Sequence, residues 1–218
     1  MSKLKAVVFD YGKVLSLPPT LEQWQKLSTR FRKTVQELQP IYWGMNREEL
    51  DRGTLDNVAY WQKVGKDCGV EISEAEAQEL IELDNTQWTN EHAEMIGLAR
   101  ELKRAGYKTA IVSNMERRML AAIREKLAWL DEFDVQIYSA EVGAVKPEAE
   151  IYLLCCQRLG CQPQEALFLD DKKVNTEGAR KAGMQSYVFH SAADPVMKTG
   201  EPEITLGELR AMLLGQAR

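Results

Sequence analysis

"VVFDYGKVL" occupies residues 7–15, and the fold turns on how it is read. Val7, Val8 and Phe9 carry an apolar run that Asp10 ends with a carboxylate. A run that is apolar at consecutive rather than alternate positions fits a strand covered on both faces. Tyr11, Gly12 and Lys13 follow before Val14 and Leu15 resume the apolar pattern. A single glycine excludes both the dinucleotide-binding fingerprint and the Walker phosphate loop.

Working outward, five runs rich in β-branched or aromatic residues stand out: "AVVFD" (6–10), "KTAIVSN" (108–114), "DVQIYSAE" (134–141), "EALFLDD" (165–171) and "QSYVFH" (185–190). Helical stretches separate the last four. "KPEAEIYLLCCQRLG" places Pro147 at its first turn and Gly160 just past its end. Its stripe is Ile151, Leu154, Cys155 and Leu159. "NTEGARKAG" closes on Gly183. Strand alternating with helix predicts an α/β fold, a Rossmann-like parallel sheet sandwiched by helices.

Between Ser16 and Asn90 the pattern is helical throughout, with breaks at Pro18-Pro19, Pro40, Gly53 and Gly69. Ser73 and Glu76 stand at capping-box spacing. Trp24, Trp43, Trp61 and Trp88 fall here and read as core residues. The expected division is an α/β core of residues 1–15 and 91–218, with an all-helical cap of residues 16–90 inserted after the first strand. Such an insertion stands over the carboxyl ends of the strands, where ligands bind. Specificity is expected there, from among Trp24, Tyr42, Trp43, Asn46 and Arg47.

The 218 residues suit one domain with an insertion. A net charge of -5 argues against a nucleic-acid partner. Lys3 and Lys5 precede an apolar run that Asp10 cuts short, so neither a signal peptide nor a membrane span is expected. Cys68, Cys155, Cys156 and Cys161 contain no CxxC pair, and the adjacent Cys155 and Cys156 read as small core residues of a reducing, cytoplasmic compartment. Composition leaves the oligomeric state open.

Polar residues collect at the strand ends. Asp10 ends the first, Ser113 and Asn114 the second, Asp170 and Asp171 the fourth, and Lys146 follows the third. Any one of these aspartates alone reads best as a turn residue or a cap. A parallel sheet brings all of them to one edge, where three carboxylates repel unless they share a cation. Hard oxygen ligands suit Mg²⁺. Lysine, hydroxyl and helix amides suit a phosphate. His92 and His190 lack a nucleophile motif and read as structural.

With these motifs in place the chain resembles the haloacid dehalogenase-like hydrolase superfamily. "VVFDYGKVL" looks like its first motif, "IVSN" its second, "VGAVKPEAEIY" its third and "LFLDDKKVNTEGARKAG" its fourth. "LDRGTLDNVAYW" looks like part of the helical cap. The third and fourth motifs are most similar to the phosphatase domain of soluble epoxide hydrolases and to small sugar-phosphate phosphatases. The resemblance implies a Mg²⁺-dependent phosphatase of a small phosphorylated metabolite. Asp10 would be the nucleophile, forming an aspartyl-phosphate. Ser113 would bind phosphoryl oxygens, Asn114 and Tyr11 would contact the ligand or orient the nucleophile, and Lys146 would neutralise charge. Asp10, Asp171 and the carbonyl of Gly12 would hold Mg²⁺. Asp170 would reach the metal through water, and Asn175 would stand behind it.

The departure is Gly12. Most phosphatases of the superfamily carry a second aspartate there as general acid and base. Its loss removes help typically worth about 10²–10⁴-fold without deleting the carbonyl. Lys13, where relatives often have glycine or asparagine, reads as a solvated side chain, with proton supply or substrate binding as the other reading. Two alternatives accompany the phosphatase. One is a metal-independent 2-haloacid dehalogenase, disfavoured because its usual tyrosine two residues after the nucleophile is replaced by Gly12. The other is a catalytically impaired protein that binds a phosphorylated ligand.

Overall fold

The computed structural model describes residues 3–191 and 202–215. Five parallel strands form one sheet: β1 (Ala6–Phe9), β2 (Lys108–Ser113), β3 (Val135–Tyr138), β4 (Ala166–Asp170) and β5 (Gln185–Val188), in the order β3-β2-β1-β4-β5. Each of the five apolar runs became a strand, with its polar end residues left outside or at the tip.

Alternate side chains enter two different cores, as the pleat requires. Val7, Phe9, Ile111, Leu167 and Leu169 face one cluster with α6 (Ala93–Arg104) and α11 (Leu206–Leu214). Ala6, Val8, Ala110, Val112 and Phe168 face the other, with α9 (Ala149–Leu159). The helices α7 (Arg117–Lys126), α8 (Ser139–Val142) and α10 (Lys173–Lys181) complete this part. Both faces of β1 are therefore dry, which is why its sequence does not alternate.

Register positions the chemistry. Phe9 pairs with Ile111 on one side and Leu169 on the other. One residue on, Asp10 donates its N–H to the Leu169 carbonyl at 2.8 Å, which sets it beside Asp170 at the carboxyl edge.

Five helices follow the first strand: α1 (Leu21–Phe31), α2 (Val35–Tyr42), α3 (Met45–Arg52), α4 (Asn57–Cys68) and α5 (Glu74–Gln87). Thr20, Thr34 and Ser73 each open a helix with a capping box. Gly53 and Gly69 end α3 and α4 at φ of 82° and 76°, the left-handed region glycine tolerates best. These helices enclose their own core, built on Trp24, Leu27, Phe31, Leu38, Tyr42, Tyr60 and Trp61. The segments entering and leaving this insertion are laced together. Ser16 bridges Glu91, Leu17 N–H donates to the Asn90 carbonyl at 2.7 Å, and His92 N–H donates to the Leu15 carbonyl at 2.9 Å.

Four details differ from the sequence expectations. Pro40 lies inside α2 instead of breaking it, and the helix runs two residues further. Pro147 precedes α9, whose N-cap is Glu148, and the Lys146–Pro147 bond is cis. In α9, Leu154 is half-buried while Tyr152 and Cys156 are buried, because the helix lies against the sheet along a wider stripe. The sequence reading stopped at the fifth strand and missed α11, although Thr205 and Glu208 form its capping box. No helix among the described residues is long and apolar enough to cross a membrane.

Candidate active site

Lys146 is the organising cation. Its ammonium lies 2.7 Å from Asp10 Oδ1 and 2.6 Å from Asp170 Oδ2, with the side chain only 2% exposed. The loop that delivers it is fastened to the end of β2. Lys146 N–H donates to Asn114 Oδ1 at 2.7 Å, and Asn114 Nδ2 returns a bond to the Lys146 carbonyl at 3.0 Å. Both ends of the Asn114 amide thus hold that loop, and Asn114 also lines the cavity. Ser113, one residue earlier, is buried and lines the cavity.

Asp170 is spent on protein donors. Beyond Lys146, it accepts from Lys172 N–H at 2.8 Å and from Asn175 Nδ2, 3.0 Å from each oxygen. Asp10 Oδ1 also accepts from its neighbour's N–H, that of Tyr11, at 2.7 Å. Asp10, Asp170 and Asp171 each bring a carboxylate oxygen within 4.8 Å of the others, and all three residues are buried. Burial raises the Asp10 carboxyl above its usual range, against the pull of Lys146. Burial and then Asp170 push Asp171 up to about 7, with Lys172 and Lys13 opposing. For Lys146, burial pulls downward, but Asp10 and Asp170 hold the ammonium above its usual value.

The charge pattern tests whether a divalent cation fits. Three buried carboxylates share two ammonium groups, Lys146 between Asp10 and Asp170 and Lys13 at 3.8 Å from Asp171, which leaves a net negative charge among them. A hard cation with oxygen ligands suits that charge.

Above this edge lies a cavity of about 440 Å³, in the range of small-molecule sites. Asp10, Gly12, Ser113, Lys146 and Asp171 line its floor, while Trp43, Arg47, Asp51 and Trp88 come from the helical insertion.

Gly12 has φ -64° and ψ 123°, a conformation open to any residue. A Cβ there would stand 3.4 Å from Cζ3 and 4.0 Å from Cε3 of Trp88. Such a Cβ would be in ordinary van der Waals contact with the indole edge.

Tyr11 lines the cavity, while its ring stacks on Trp129 with centroids 6.3 Å apart and its hydroxyl donates to the Trp88 carbonyl at 2.6 Å. Lys13 is buried rather than solvated, with its ammonium 3.8 Å from Asp171 Oδ2. Its φ of 63° is left-handed, which explains why glycine or asparagine would suit that position. The local turn folds the lysine inward.

Of the five specificity candidates, Trp43 and Arg47 reach the cavity. Trp24 and Tyr42 are buried among the cap helices, and Asn46 bonds Asp67 on the outside. Arg47 is held by Asp51 at 2.9 Å, the Tyr42 hydroxyl at 2.8 Å and Asp84 at 3.6 Å. Its guanidinium also lies 5.2 Å from the Tyr42 and Trp43 ring centroids. Trp88, Met115, Met119 and Lys172 line the cavity without having been singled out from sequence as ligand contacts. His92 caps α6, as a structural histidine would, and His190 lies 3.2 Å from the Asp171 carbonyl.

A family model described as haloacid dehalogenase-like hydrolase matches residues 4–183, and the chain belongs to that family. It is 27% identical over 214 residues to mouse (Mus musculus) bifunctional epoxide hydrolase 2, covering 87% of this chain but 37% of that protein. To the sesquiterpene phosphatase astK of Aspergillus oryzae it is 27% identical over 180 residues, covering 83% of this chain and 87% of that one. Among solved structures, the HAD family enzyme bt-2542 of Bacteroides thetaiotaomicron, in complex with magnesium and inorganic phosphate, aligns with a TM-score of 0.65 at 18% identity, over 88% of this chain and 97% of that one. L-2-haloacid dehalogenase of Xanthobacter autotrophicus aligns with a TM-score of 0.64 at 22% identity, over 84% and 76%. At such identities the structural matches establish the fold.

Proposed function

We propose that this hydrolase is a Mg²⁺-dependent phosphatase of a small phosphorylated metabolite, working through an aspartyl-phosphate on Asp10. The observation that carries the reading is the charge pattern at the sheet edge. Asp10 is paired with Lys146, while the nearby Asp171 is a third buried carboxyl within reach of Asp10 and Asp170, held above its usual range by burial and by Asp170 with the Lys13 ammonium 3.8 Å away. A metal-free dehalogenase acting on a carboxylate substrate gains nothing from that extra acid, which would repel the substrate. A metal-dependent phosphatase needs it. Relatives named as phosphatases and a structural neighbour holding magnesium and phosphate support the same choice.

In this mechanism Asp10 attacks phosphorus with the oxygen that Lys146 does not hold. The bond from phosphorus to the ester oxygen breaks and the leaving group departs. Water then attacks the phosphoryl group, releasing inorganic phosphate and regenerating Asp10. Lys146 neutralises charge as the two anions approach, and the Ser113 hydroxyl donates to a phosphoryl oxygen. Asn114 keeps Lys146 in register. Mg²⁺, held by Asp10, Asp171 and the Gly12 carbonyl with Asp170 behind them, would supply further charge stabilisation. The acidic chain with its free cysteines suits a reducing compartment such as the cytoplasm.

The test is Mg²⁺-dependent release of phosphate from p-nitrophenyl phosphate, beside chloride release from 2-chloropropionate. Asp10→Asn should remove essentially all phosphate release while the circular dichroism spectrum stays native. Wild-type-like turnover by that variant would overturn the mechanism, and chloride release without phosphate release would transfer the assignment to the dehalogenase.

A further inference from the structure

The cavity has two characters. Its floor is charged, but the wall that rises from Gly12 toward the opening is apolar. Trp88 stands at Gly12, with its ring edge 3.4 Å from the missing Cβ. Trp43 meets Trp88 edge to face, centroids 6.0 Å apart. Met45, next along the chain but one, is 89% exposed at the rim, and Val174 on α10 is 55% exposed. Both line the cavity and are two of the few large apolar side chains that the described residues expose. Met115 and Met119 add two more apolar surfaces.

The charges on the cap side are already matched. Arg47 is engaged by Asp51 and Asp84. Glu48 pairs with Arg52 at 2.9 Å. What this side presents to a leaving group is therefore indole and thioether, with the Lys172 ammonium 4.6 Å from the Trp43 ring centroid at one edge of the wall. No carboxyl projects from position 12, so the leaving oxygen departs without a proton donor there.

Resting on the phosphatase reading, we infer that the substrate class is the monophosphate ester of an aryl alcohol, its ring lying along Trp88 and Trp43 and its edge reaching Met45 and Val174. A phenolic oxygen satisfies both constraints. It leaves as the phenolate, taking the electron pair of the broken phosphorus–oxygen bond while phosphorus passes to Asp10, and water protonates it afterward. Its ring is the flat apolar surface that indoles pack against.

The experiment compares kcat/KM, with Mg²⁺ present, for acetyl phosphate, phenyl phosphate, 2-naphthyl phosphate and cyclohexyl phosphate. Phenol and 2-naphthol are similar in acidity, so their esters differ chiefly in the extra ring. Covering that ring should favour the naphthyl ester about tenfold. Cyclohexyl phosphate, apolar but with a poor leaving group, should be slower than phenyl phosphate by at least about a hundredfold. Trp43→Ser should bring the naphthyl-to-phenyl ratio toward one. Met45→Ser, at an exposed position that does not test folding, should lower the same ratio. Hydrolysis of acetyl phosphate with no naphthyl preference would overturn the aryl inference and leave the phosphatase standing. A tenfold preference that neither variant alters would overturn the assigned wall. Failure to hydrolyse any of the four would remove the phosphatase reading and this inference together.

Discussion

Gly12→Asp is the most informative single change. The backbone at φ -64° accepts an aspartate without strain, and the added Cβ makes ordinary contact with Trp88 at 3.4 Å. The carboxyl group beyond it must turn along the indole edge. Once there, it shares the site with Asp10 and with Asp171, whose own carboxyl is already pushed up to about 7. Burial and like-charge neighbours would raise the new group in the same direction, toward the protonated form that a general acid needs. The full benefit of a positioned acid is about 10²–10⁴-fold, and it falls where the leaving oxygen needs a proton. The gain is therefore expected on alkyl phosphates, with little change for aryl esters. Each 1.4 kcal/mol of strain against Trp88 would subtract about tenfold. Combining the change with Trp88→Leu should recover part of that loss. The assay is kcat/KM across phosphate esters of graded leaving-group acidity for wild type, single and double variants. A wild-type profile already flat, with the chemical step shown to limit the rate, would refute the reasoning. Lys13 and Lys172, both lining the cavity, would then be the first candidates for the proton donor.

Lys146→Met leaves Asp10 and Asp170 facing each other in a buried site, so urea unfolding without Mg²⁺ should show a loss of about 3–5 kcal/mol. Asp171→Asn should raise the Mg²⁺ concentration required for half-maximal phosphate release, read from a metal titration. Burial raises Asp84 to about 6, against Arg47 and Tyr42, so the folded chain binds more protons than the unfolded one between about pH 4 and 6. Stability should fall as pH rises through that window, by at most about 3 kcal/mol. Asp84→Asn, which can still accept from the Tyr42 hydroxyl, should flatten the dependence in urea unfolding at pH 4.5 and 7.

How much of this was legible depends on how local each signal is. The strands could be read because β1 and β4 are dry on both faces, which leaves an unbroken apolar run ending in an acid. Cap helices could be bounded wherever a side chain caps its own turn, as at Ser73, or a glycine turns left-handed, as at Gly53. The cavity wall was harder. Trp43 and Trp88 carry the same hydrophobic signal as Trp24 and Trp61, and only the docking of the insertion over Gly12 separates wall from core. Lys13 illustrates the opposite error: a charged residue in a short polar stretch reads as solvated. Its left-handed turn, invisible in composition, buries it beside Asp171. The pair of hydrogen bonds between Asn114 and the Lys146 backbone joins residues distant in sequence, so no spacing rule would have shown it.

The lacing of Ser16 to Glu91 bears on how much the insertion burdens the rest of the chain. Residues bridged in this way have α-carbons roughly 5 Å apart. For the sheet, everything between them is one loop whose ends are already tied. The entropy of closing such a loop grows only with the logarithm of its length, about 0.6 kcal/mol per doubling. Insertions of very different size could occupy the same knot with little effect on whether β1 pairs with β2 and β4. The wall over Gly12 can then change by exchange of the inserted helices while the acids and lysine beneath keep their register.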